Sequence, residues 1–333
     1  MSNIKTKLRK ITPPWMLYYY YLRAARKAVM PDLKRRTHDK VFGDSKIEKL
    51  KRNLTLSYHI VEKGLTMPEP RPGFGKAVII DLGNSIKKYH SLGLPQDVLE
   101  FSQSVSVLKE YKDFHSSINF KLPEEINQLL DYVEKTFPTL NGIKQIHINS
   151  DDYFKDINAS FDKFCMSRYS VRNYTNEPVP VEILDSCIEL AQKSPSFCNR
   201  QPTRVHIVKS EEKKKGILEL QNGNRGFGYL AETLLVITSL ISTTKDIHER
   251  NENLLSGGMF CMTLLNALHF HKIGACSLNW SVSDDKDQKL REILDIPDNE
   301  VVLLVISCGY IPEHLAVAAS PRKTAKEITT LHS

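Results

Sequence analysis

The sequence predicts a mainly helical first half and, in the second half, a layered sandwich of helices on a sheet, of the α/β or α+β class. Apolar residues recur at helical spacing from residue 45 to about residue 137. Two continuous apolar runs, 234–238 and 301–306, have the length and composition of strands that are buried on both faces. Amphipathic stretches alternate with these runs, which indicates helices packed on a central sheet.

Three patterns predict the helices of the first half. Their apolar positions are Ile47, Leu50, Leu54 and Tyr58, then Val98, Phe101, Val105 and Leu108, and finally Ile126, Leu129, Leu130 and Val133. The segment 62–75 lies between the first two patterns, and its Pro and Gly content favours an ordered loop, either a rigid connector or a binding loop. The polar, turn-rich segment 138–160 is the predicted domain boundary.

The second half alternates between the two periodicities. Helices are predicted at 181–193, 257–271 and 284–294, and strands at 205–208, 234–238, 275–280 and 301–306. The first of these helices is amphipathic, so it has one face to bury against the strands, and the helix at 257–271 is long and apolar. This order is typical of a sheet covered by helices.

Composition limits the class of protein. The chain of 333 residues is 41% hydrophobic and 26% charged, as expected for a soluble protein of about two domains. No apolar run reaches the roughly 20 residues of a membrane-spanning helix, and the basic start lacks the apolar segment of a secretory signal. We therefore expect a cytoplasmic protein. The six cysteines show no Cys-x-x-Cys spacing, so neither a zinc site nor a dithiol motif is predicted.

Positive charge is concentrated at the N-terminus. Residues 1–52 carry 15 Lys and Arg against 4 Asp and Glu, whereas the whole chain has a net charge of only +7. The aromatic stretch 15–21 accompanies these charges, and aromatics beside Lys and Arg suit peripheral contact with an anionic membrane surface. An arm packed on a partner subunit or on the protein's own surface is the other interpretation. No nucleic-acid-binding motif accompanies the charge, so a nucleic-acid partner is not predicted.

Two neighbouring polar segments carry the predicted chemistry. Arg168, Ser170 and Arg172 place two guanidinium groups and a hydroxyl within five residues, which suits bidentate contact with a phosphate. The segment 194–202, Ser-Pro-Ser-Phe-Cys-Asn-Arg-Gln-Pro, offers short side chains for hydroxyls and ring heteroatoms. Surface ion pairs and turn or capping contacts are the alternative roles. The pattern predicts a phosphorylated polar ligand.

The order of these and later motifs resembles that of the FMN-dependent nitroreductase family. The further matching segments are 222–227, 257–258, 275–280, 309–310 and 320–323. The resemblance covers about residues 160–333 and implies an α+β fold, a nitroreductase-like α/β sandwich with a central mixed sheet flanked by helices. The predicted organisation is then a basic aromatic arm at 1–44, a mainly helical domain at 45–150 and an FMN-binding domain at 160–333.

The resemblance also implies a homodimer with one FMN in each of two interface clefts. The loop that contains Asn199 would reach the cleft from the other subunit. The residues implied to bind the cofactor are Arg168, Tyr169, Ser170, Arg172, Pro195, Ser196, Phe197, Asn199, Gln201, Asn224, Ser277, Leu278, Asn279, Arg322 and Lys323. No catalytic side chain is assigned, because the flavin carries the hydride chemistry.

Three hypotheses for function remain open. The first is an FMN-dependent oxidoreductase that uses NADH or NADPH in a ping-pong hydride transfer to an unidentified small-molecule acceptor. The second is a flavin-binding structural or regulatory module whose helical, basic N-terminal part docks a partner or an anionic membrane surface. The third is a flavin-dependent dehydrogenase or oxidase in a biosynthetic pathway.

Overall fold

A computed structural model describes residues 13–42 and 46–332. The first half contains five helices in the described residues. These are α1 (Pro14–Phe42), α2 (Lys46–Leu65), α3 (Lys76–Ser91), α4 (Leu99–Ser117) and α5 (Glu124–Thr136). Residues 1–12 of the predicted arm and its boundary at 44/45 lie outside the described residues. We call residues 46–136 the helical half.

The helical half encloses its own apolar core. The 3.6-residue spacing places one stripe of each helix inward, as at Leu54 on α2, Phe101 on α4 and Leu130 on α5, all of them buried. A polar contact crosses this core, because Gln103 Nε2 donates to Glu62 Oε1 at 2.9 Å and to the Ile143 carbonyl at 2.8 Å. The Glu62 side chain is therefore buried with a partner, as burial of a carboxylate requires.

The predicted loop between α2 and α3 is ordered. The Tyr111 hydroxyl donates to the Phe74 carbonyl at 2.9 Å, and the Gly73 N–H donates to His115 Nε2 at 2.9 Å. Gly64 allows the loop to fold back on α2, because a Cβ at this position would overlap the Phe74 ring. The loop thus fixes the C-terminal end of α2.

The second half, residues 146–328, is called the sheet half. Its strands are β1 (Ile146–Asn149), β2 (Thr203–Val208), β3 (Thr233–Leu240), β4 (Gly274–Asn279), β5 (Glu300–Gly309) and β6 (His314–Val317). Its helices are α6 (Ser150–Phe154), α7 (Phe161–Ser167), α8 (Val181–Gln192), α9 (Glu211–Leu220), α10 (Glu252–Phe270), α11 (Asp284–Leu294) and α12 (Ala325–Ile328). The main sheet has the order β2-β3-β5-β4, and its three pairings are all antiparallel.

The main sheet is covered on both faces. Side chains alternate along β3, so Leu234 and Val236 belong to one core and Leu235 and Ile237 to the other. Helices α9 and α11 contribute to the first core, and α8 and α10 contribute to the second. This is the predicted α+β sandwich of a central sheet flanked by helices, although the described strands form antiparallel pairs rather than a mixed sheet.

The chain returns to the helical half at its C-terminal end. Strand β6 pairs with β1 just after the helical half, with Ile146 opposite Val317. The Ala319 N–H donates to Gln145 Oε1 at 3.0 Å, and Lys323 Nζ lies 2.7 Å from Glu100 Oε1 on α4. The ion pair therefore joins the two halves, and the strand pair lies next to the segment that connects them.

Helix α1 lies partly on the sheet half. Tyr20, Tyr21 and Ala24 line a groove together with residues 241–254. Trp15 and Tyr18 remain 63% and 64% exposed. The alternative to membrane contact is an arm packed on a partner subunit or on the protein's own surface, and part of α1 lies on the protein's own surface. None of the described helices combines the length and hydropathy that crossing a membrane requires.

Candidate functional site

The segment that contains the two predicted phosphate ligands lies beside β4. The Val171 N–H donates to the Ala275 carbonyl at 3.0 Å. The Tyr153 hydroxyl donates to the Tyr169 carbonyl at 2.9 Å and accepts from the Tyr169 N–H at 3.3 Å. Tyr169 therefore holds its place through its backbone, and its ring packs against the sheet core.

Arg172 is a buried cation without a matching anion. It is only 7% exposed, and its guanidinium lies 5.8 Å from the centre of the Phe227 ring. Among the described residues its one hydrogen bond is long, 3.5 Å from an Nη atom to the Ser170 carbonyl. Within the described residues, Nε of Arg172 and Nε of Arg168 are buried without a partner, and no carboxylate lies within 4 Å of either guanidinium. Buried charges require a partner, so this arrangement fits an anionic ligand.

The thiol of Cys276 interacts electrostatically with both members of this arginine pair. Burial raises the pKa of its thiol, although Arg172 and Lys63 act in the opposite direction and Ser170 hydrogen-bonds to it. The thiol is therefore neutral at physiological pH and is a poor nucleophile.

His269 is close enough to Arg168 to interact with its charge. Its Nε2 is 2.8 Å from the Ser167 hydroxyl, and its ring contacts Tyr153 and Phe154. Burial and the charge of Arg168 lower the pKa of His269 to about 4, so the imidazole is neutral at pH 7. Among the residues the structure describes, no three His, Cys, Asp or Glu side chains are arranged to hold a metal ion.

The predicted polar loop before β2 has a strained backbone. Cys198, Asn199 and Gln201 have φ angles of 50°, 53° and 49°. The Ser196 hydroxyl accepts from the Gln201 N–H at 3.0 Å, and Gln201 Nε2 donates to Asn199 Oδ1 at 3.1 Å. Residues in such conformations persist only where their surroundings hold them.

Contacts on both sides hold this loop in place. Ser194 Oγ lies 2.6 Å from Thr263 Oγ1 of α10, and Arg200 forms ion pairs of 2.6 Å with Glu249 and 3.2 Å with Glu252. The tip of the loop stays open. Pro195, Phe197, Cys198, Asn199 and Gln201 are exposed. An exposed tip on a fixed base suits contact with another molecule.

The remaining predicted residues differ in their surroundings. Asn224 Nδ2 donates to the carbonyls of Leu218 and Gln221, so this side chain shapes its own loop. On β4, Ser277 and Asn279 are exposed and Leu278 is buried. Asn279 Oδ1 accepts from the Ser281 N–H at 3.1 Å.

The two predicted C-terminal cations do not lie free. Arg322 donates to the Ser320 carbonyl, and Lys323 forms its ion pair with Glu100. Their roles with a cofactor stay predictions.

The two main groups of predicted residues lie at opposite corners of the sheet. The segment 168–172 borders β4, whereas the loop 195–201 leads into β2, and β3 and β5 lie between them. Three strand spacings separate the edges by roughly 14 Å. The two groups are also separated along the strand direction. Ala275 lies opposite Cys308 of β5, whereas Thr203 lies opposite Ser239, which in turn lies opposite Val301 of β5. Residues 301 and 308 are roughly 20 Å apart along that strand. One chain cannot bring both groups to one small ligand.

Sequence reasoning missed three residues of the site. Lys63, Cys276 and His269 come from a distant helix, a strand and the end of α10, and each lies within electrostatic range of Arg172 or Arg168. A lysine next to the Pro- and Gly-rich loop was the only signal available for Lys63.

Comparison with known proteins gives a consistent picture. The sequence model described as the nitroreductase family matches residues 165–310. An iodotyrosine deiodinase from Nematostella vectensis is 24% identical over 214 residues, which is 55% of this chain and 79% of that protein. An FMN reductase [NAD(P)H] from Bacillus subtilis is 48% identical over 54 residues, which is 16% of this chain and 22% of that protein.

Solved structures are also similar to part of the chain. A nitroreductase family protein from Streptococcus pneumoniae superposes with a TM-score of 0.45 at 20% identity and covers 52% of this chain and 100% of that one. The family match includes the arginine pair, the polar loop before β2 and the whole of β4. Residues 165–310 of this chain therefore belong to the nitroreductase family.

Proposed function

We propose that the protein is an FMN-dependent oxidoreductase that takes electrons from NADH or NADPH and reduces a small molecule in the same cleft. The observation that carries this proposal is the buried guanidinium of Arg172, which has an unpartnered Nε and no carboxylate in reach among the described residues. A phosphate supplies the missing charge, and Arg168 and Ser170 lie on the same short segment.

The protein's own part is to bind and orient the cofactor. FMN supplies hydride chemistry when bound, so the chain needs no nucleophile of its own. Arg168 and Arg172 would hold the phosphate, and Ser277 and the backbone of β4 would donate to the ring. His269 stays neutral beside Arg168 and therefore adds no further charge to the phosphate site.

Flavin uptake tests the proposal directly. The purified protein is expected to be yellow, or to become so when FMN is added to the protein after removal of bound cofactor, with one FMN per chain. Anaerobic mixing with NADH and, separately, NADPH should bleach the flavin absorbance. Colourless protein that takes up no FMN would contradict the proposal. Bound flavin that neither nucleotide reduces would favour the structural or regulatory module instead.

A second copy of the chain would complete the site. The loop 195–201 lies too far from Arg172 to share a ligand with it in one chain. Next to that loop, α10 exposes Leu255, Met259 and Met262, which are 55%, 38% and 45% exposed and share one helical face. An apolar face beside a polar loop fits an isologous dimer in which each loop reaches the partner's arginine pair.

The acceptor is the open part of the function. The named relatives include iodotyrosine deiodinases and an FMN reductase. We therefore propose a panel that contains 3-iodotyrosine, free FMN, a quinone and a nitroaromatic compound, each tested for reoxidation of the reduced flavin. Fast reoxidation by one compound identifies the class. If all reoxidise it slowly, and a candidate substrate reduces the bound flavin, a dehydrogenase or oxidase is favoured.

Peripheral membrane contact through the basic arm stays a proposal. The exposed aromatic side chains of α1 support it, since tyrosines and tryptophans prefer the interfacial region. Co-sedimentation with anionic vesicles should be stronger for the full chain than for a chain that begins at residue 46. Equal pelleting of the two proteins would rule out this role for the arm.

A further inference from the structure

The C-terminal end of α2, from the helical half, lies against the arginine pair of the sheet half. Met67 packs against the sheet core and approaches Gly226, where an added Cβ would lie 3.2 Å from the Met67 sulfur. The next residue, Phe227, is the ring that faces the Arg172 guanidinium at 5.8 Å. A chain of contacts thus connects the end of α2 with Arg172.

Lys63 lies in the last turn of α2, four positions before Met67, and is close enough to Arg172 to interact with its charge. It is half-buried, and it interacts electrostatically with Arg172 and with the Cys276 thiol. Burial and the charge of Arg172 lower the pKa of the Lys63 ammonium. These observations place a third cation near Arg172, on the segment that also carries Arg168.

No acid in the described residues balances this third charge. The adjacent Glu62 is directed elsewhere, since its carboxylate accepts from Gln103 at 2.9 Å and contacts His59 at 3.3 Å. No carboxylate of the described residues lies within 4 Å of the Lys63 ammonium. Like charges gathered in a half-buried place raise the free energy of the ligand-free protein and favour an anion.

The position of Lys63 is fixed rather than incidental. Gly64 lets the Phe74 ring close over the helix end, and Leu65 is buried in the helical core. The loop that follows is tied to α4 through Tyr111 and His115. These contacts therefore fix the backbone from which the Lys63 side chain extends.

We propose that Lys63 binds an anionic group of the flavin cofactor, so that the helical half contributes directly to the cofactor site of the sheet half. The inference rests on the proposed FMN-dependent function. The anionic group is either the phosphate or the pyrimidine edge of the ring, which becomes negative on reduction.

The test compares Lys63→Ala and Lys63→Arg with Lys46→Ala, which removes an exposed lysine from the same helix. FMN and riboflavin are titrated by flavin fluorescence into full-length protein from which cofactor has been removed. Lys63→Ala should weaken FMN binding about tenfold or more, Lys63→Arg should retain most of the affinity, and Lys46→Ala should match the wild type. Riboflavin unaffected by Lys63→Ala indicates the phosphate, and riboflavin weakened equally indicates the ring.

Thermal unfolding of the cofactor-free proteins separates binding from a purely structural role. Removal of one of three like charges should leave the melting temperature of Lys63→Ala unchanged or raise it. Equal FMN affinity of the wild type and Lys63→Ala would overturn the inference, as would a loss of affinity that accompanies a lowered melting temperature and is not restored by Lys63→Arg. If the wild type itself bound no FMN, the proposed function would fail, and the two results are thus distinguishable.

Discussion

Arg172 is the side chain that most directly indicates an anionic ligand. A buried guanidinium without an anion is unfavourable in the protein alone, and it becomes favourable when a phosphate arrives. Arg172→Ala should therefore weaken FMN binding at least about tenfold, because it removes a charged hydrogen-bond donor. Its free energy of unfolding without FMN should stay unchanged or rise. Flavin titration and urea denaturation measure the two quantities.

The control for Arg172 is Arg26→Ala on α1, which removes an exposed arginine. It should alter neither quantity. Equal FMN affinity of Arg172→Ala and Arg26→Ala would show that the buried charge serves another ligand or none.

His269 makes the stability of the cofactor-free protein depend on pH. Its folded pKa of about 4 lies below the ordinary value of 6.5, so the unfolded chain binds more protons between these values. The contribution of the neutral imidazole to the free energy of unfolding is complete above pH 6.5 and is lost as the pH falls towards 4. At pH 5 the loss is on the order of 2 kcal/mol.

The measurement is urea denaturation at pH 7, 6 and 5 for the wild type and His269→Asn. The free energy of unfolding should fall more steeply with decreasing pH in the wild type. Parallel pH profiles of the two proteins would contradict the assignment of a buried, neutral imidazole.

Part of the site could be predicted from sequence because its residues are close together in the chain. Arg168, Ser170 and Arg172 occupy one extended segment, and their types alone indicated a phosphate. Lys63 lies more than a hundred positions away, and only the packing of Met67 on Gly226 places it there. Cys276 gave no signal, because a buried cysteine on a strand is an ordinary core residue.

At the scale of an element, the loop 195–201 depends on Asn199. A φ of 53° is tolerated by Asn and Gly but strains Ala. Asn199→Ala should therefore lower the free energy of unfolding by about 1 kcal/mol, whereas Asn199→Gly should lower it less. If the side chain contacts the cofactor, both variants should lose FMN affinity equally. Retained affinity in Asn199→Gly would show that only the backbone shape matters.

The C-terminal segment depends on the ion pair between Lys323 and Glu100. The Glu100 carboxylate is 8% exposed. Burial acts to raise the pKa of Glu100, but the hydrogen bond from Lys323 acts to lower it, and the net result is a lowered pKa. Lys323→Met should cost about 1 kcal/mol of stability at pH 7, since Lys323 is itself 45% exposed and the pair is partly screened. Because the folded pKa of Glu100 is lowered, this contribution is present above about pH 4.5 and disappears at lower pH.

Denaturation of Lys323→Met and the neighbouring Lys326→Met at pH 7 and pH 3.5 provides the measurement. Only the first should differ from the wild type, and only at pH 7. The same loss in both variants would indicate a general effect of charge rather than the pair with Glu100.

The long periodic elements were predictable, and the short ones were not. The apolar runs at 234–238 and 301–306 lie within β3 and β5, because a strand covered on both faces must be apolar throughout. Strands β1 and β6 were missed, since each has four residues and is defined by the other rather than by its own pattern. Helix α9 was missed because its charged sequence, Glu-Glu-Lys-Lys-Lys, resembles a loop.

At the scale of the whole molecule, the helical half contacts the sheet half beside the arginine pair. It contacts the sheet half through Met67 and through Glu100 with Lys323, and Gln145, in the segment between the halves, accepts from the Ala319 N–H. The first contact lies at the arginine pair, and the others hold the segment that follows β6. Residues before the predicted boundary at 138–160 therefore contact residues after it at more than one place, and the domain limits stay a prediction.

The final prediction concerns assembly, and it follows from the separation of Arg172 from Asn199. If the cleft forms across a dimer, Met259→Asp should produce monomers, because it puts a charge into the apolar face of α10. Ile118→Asp, at a site of similar exposure in the helical half, should leave the dimer intact. Light scattering after size-exclusion chromatography measures the mass, and the monomer should also lose FMN.

Mixing of subunits then tests whether the FMN site is shared between two chains. Arg172→Ala and Asn199→Ala chains, each defective in FMN binding, should recover it when co-expressed, because a mixed dimer has one cleft with both residues intact. With random assortment about a quarter of all sites should recover, whereas a site contained within one chain predicts no recovery at all.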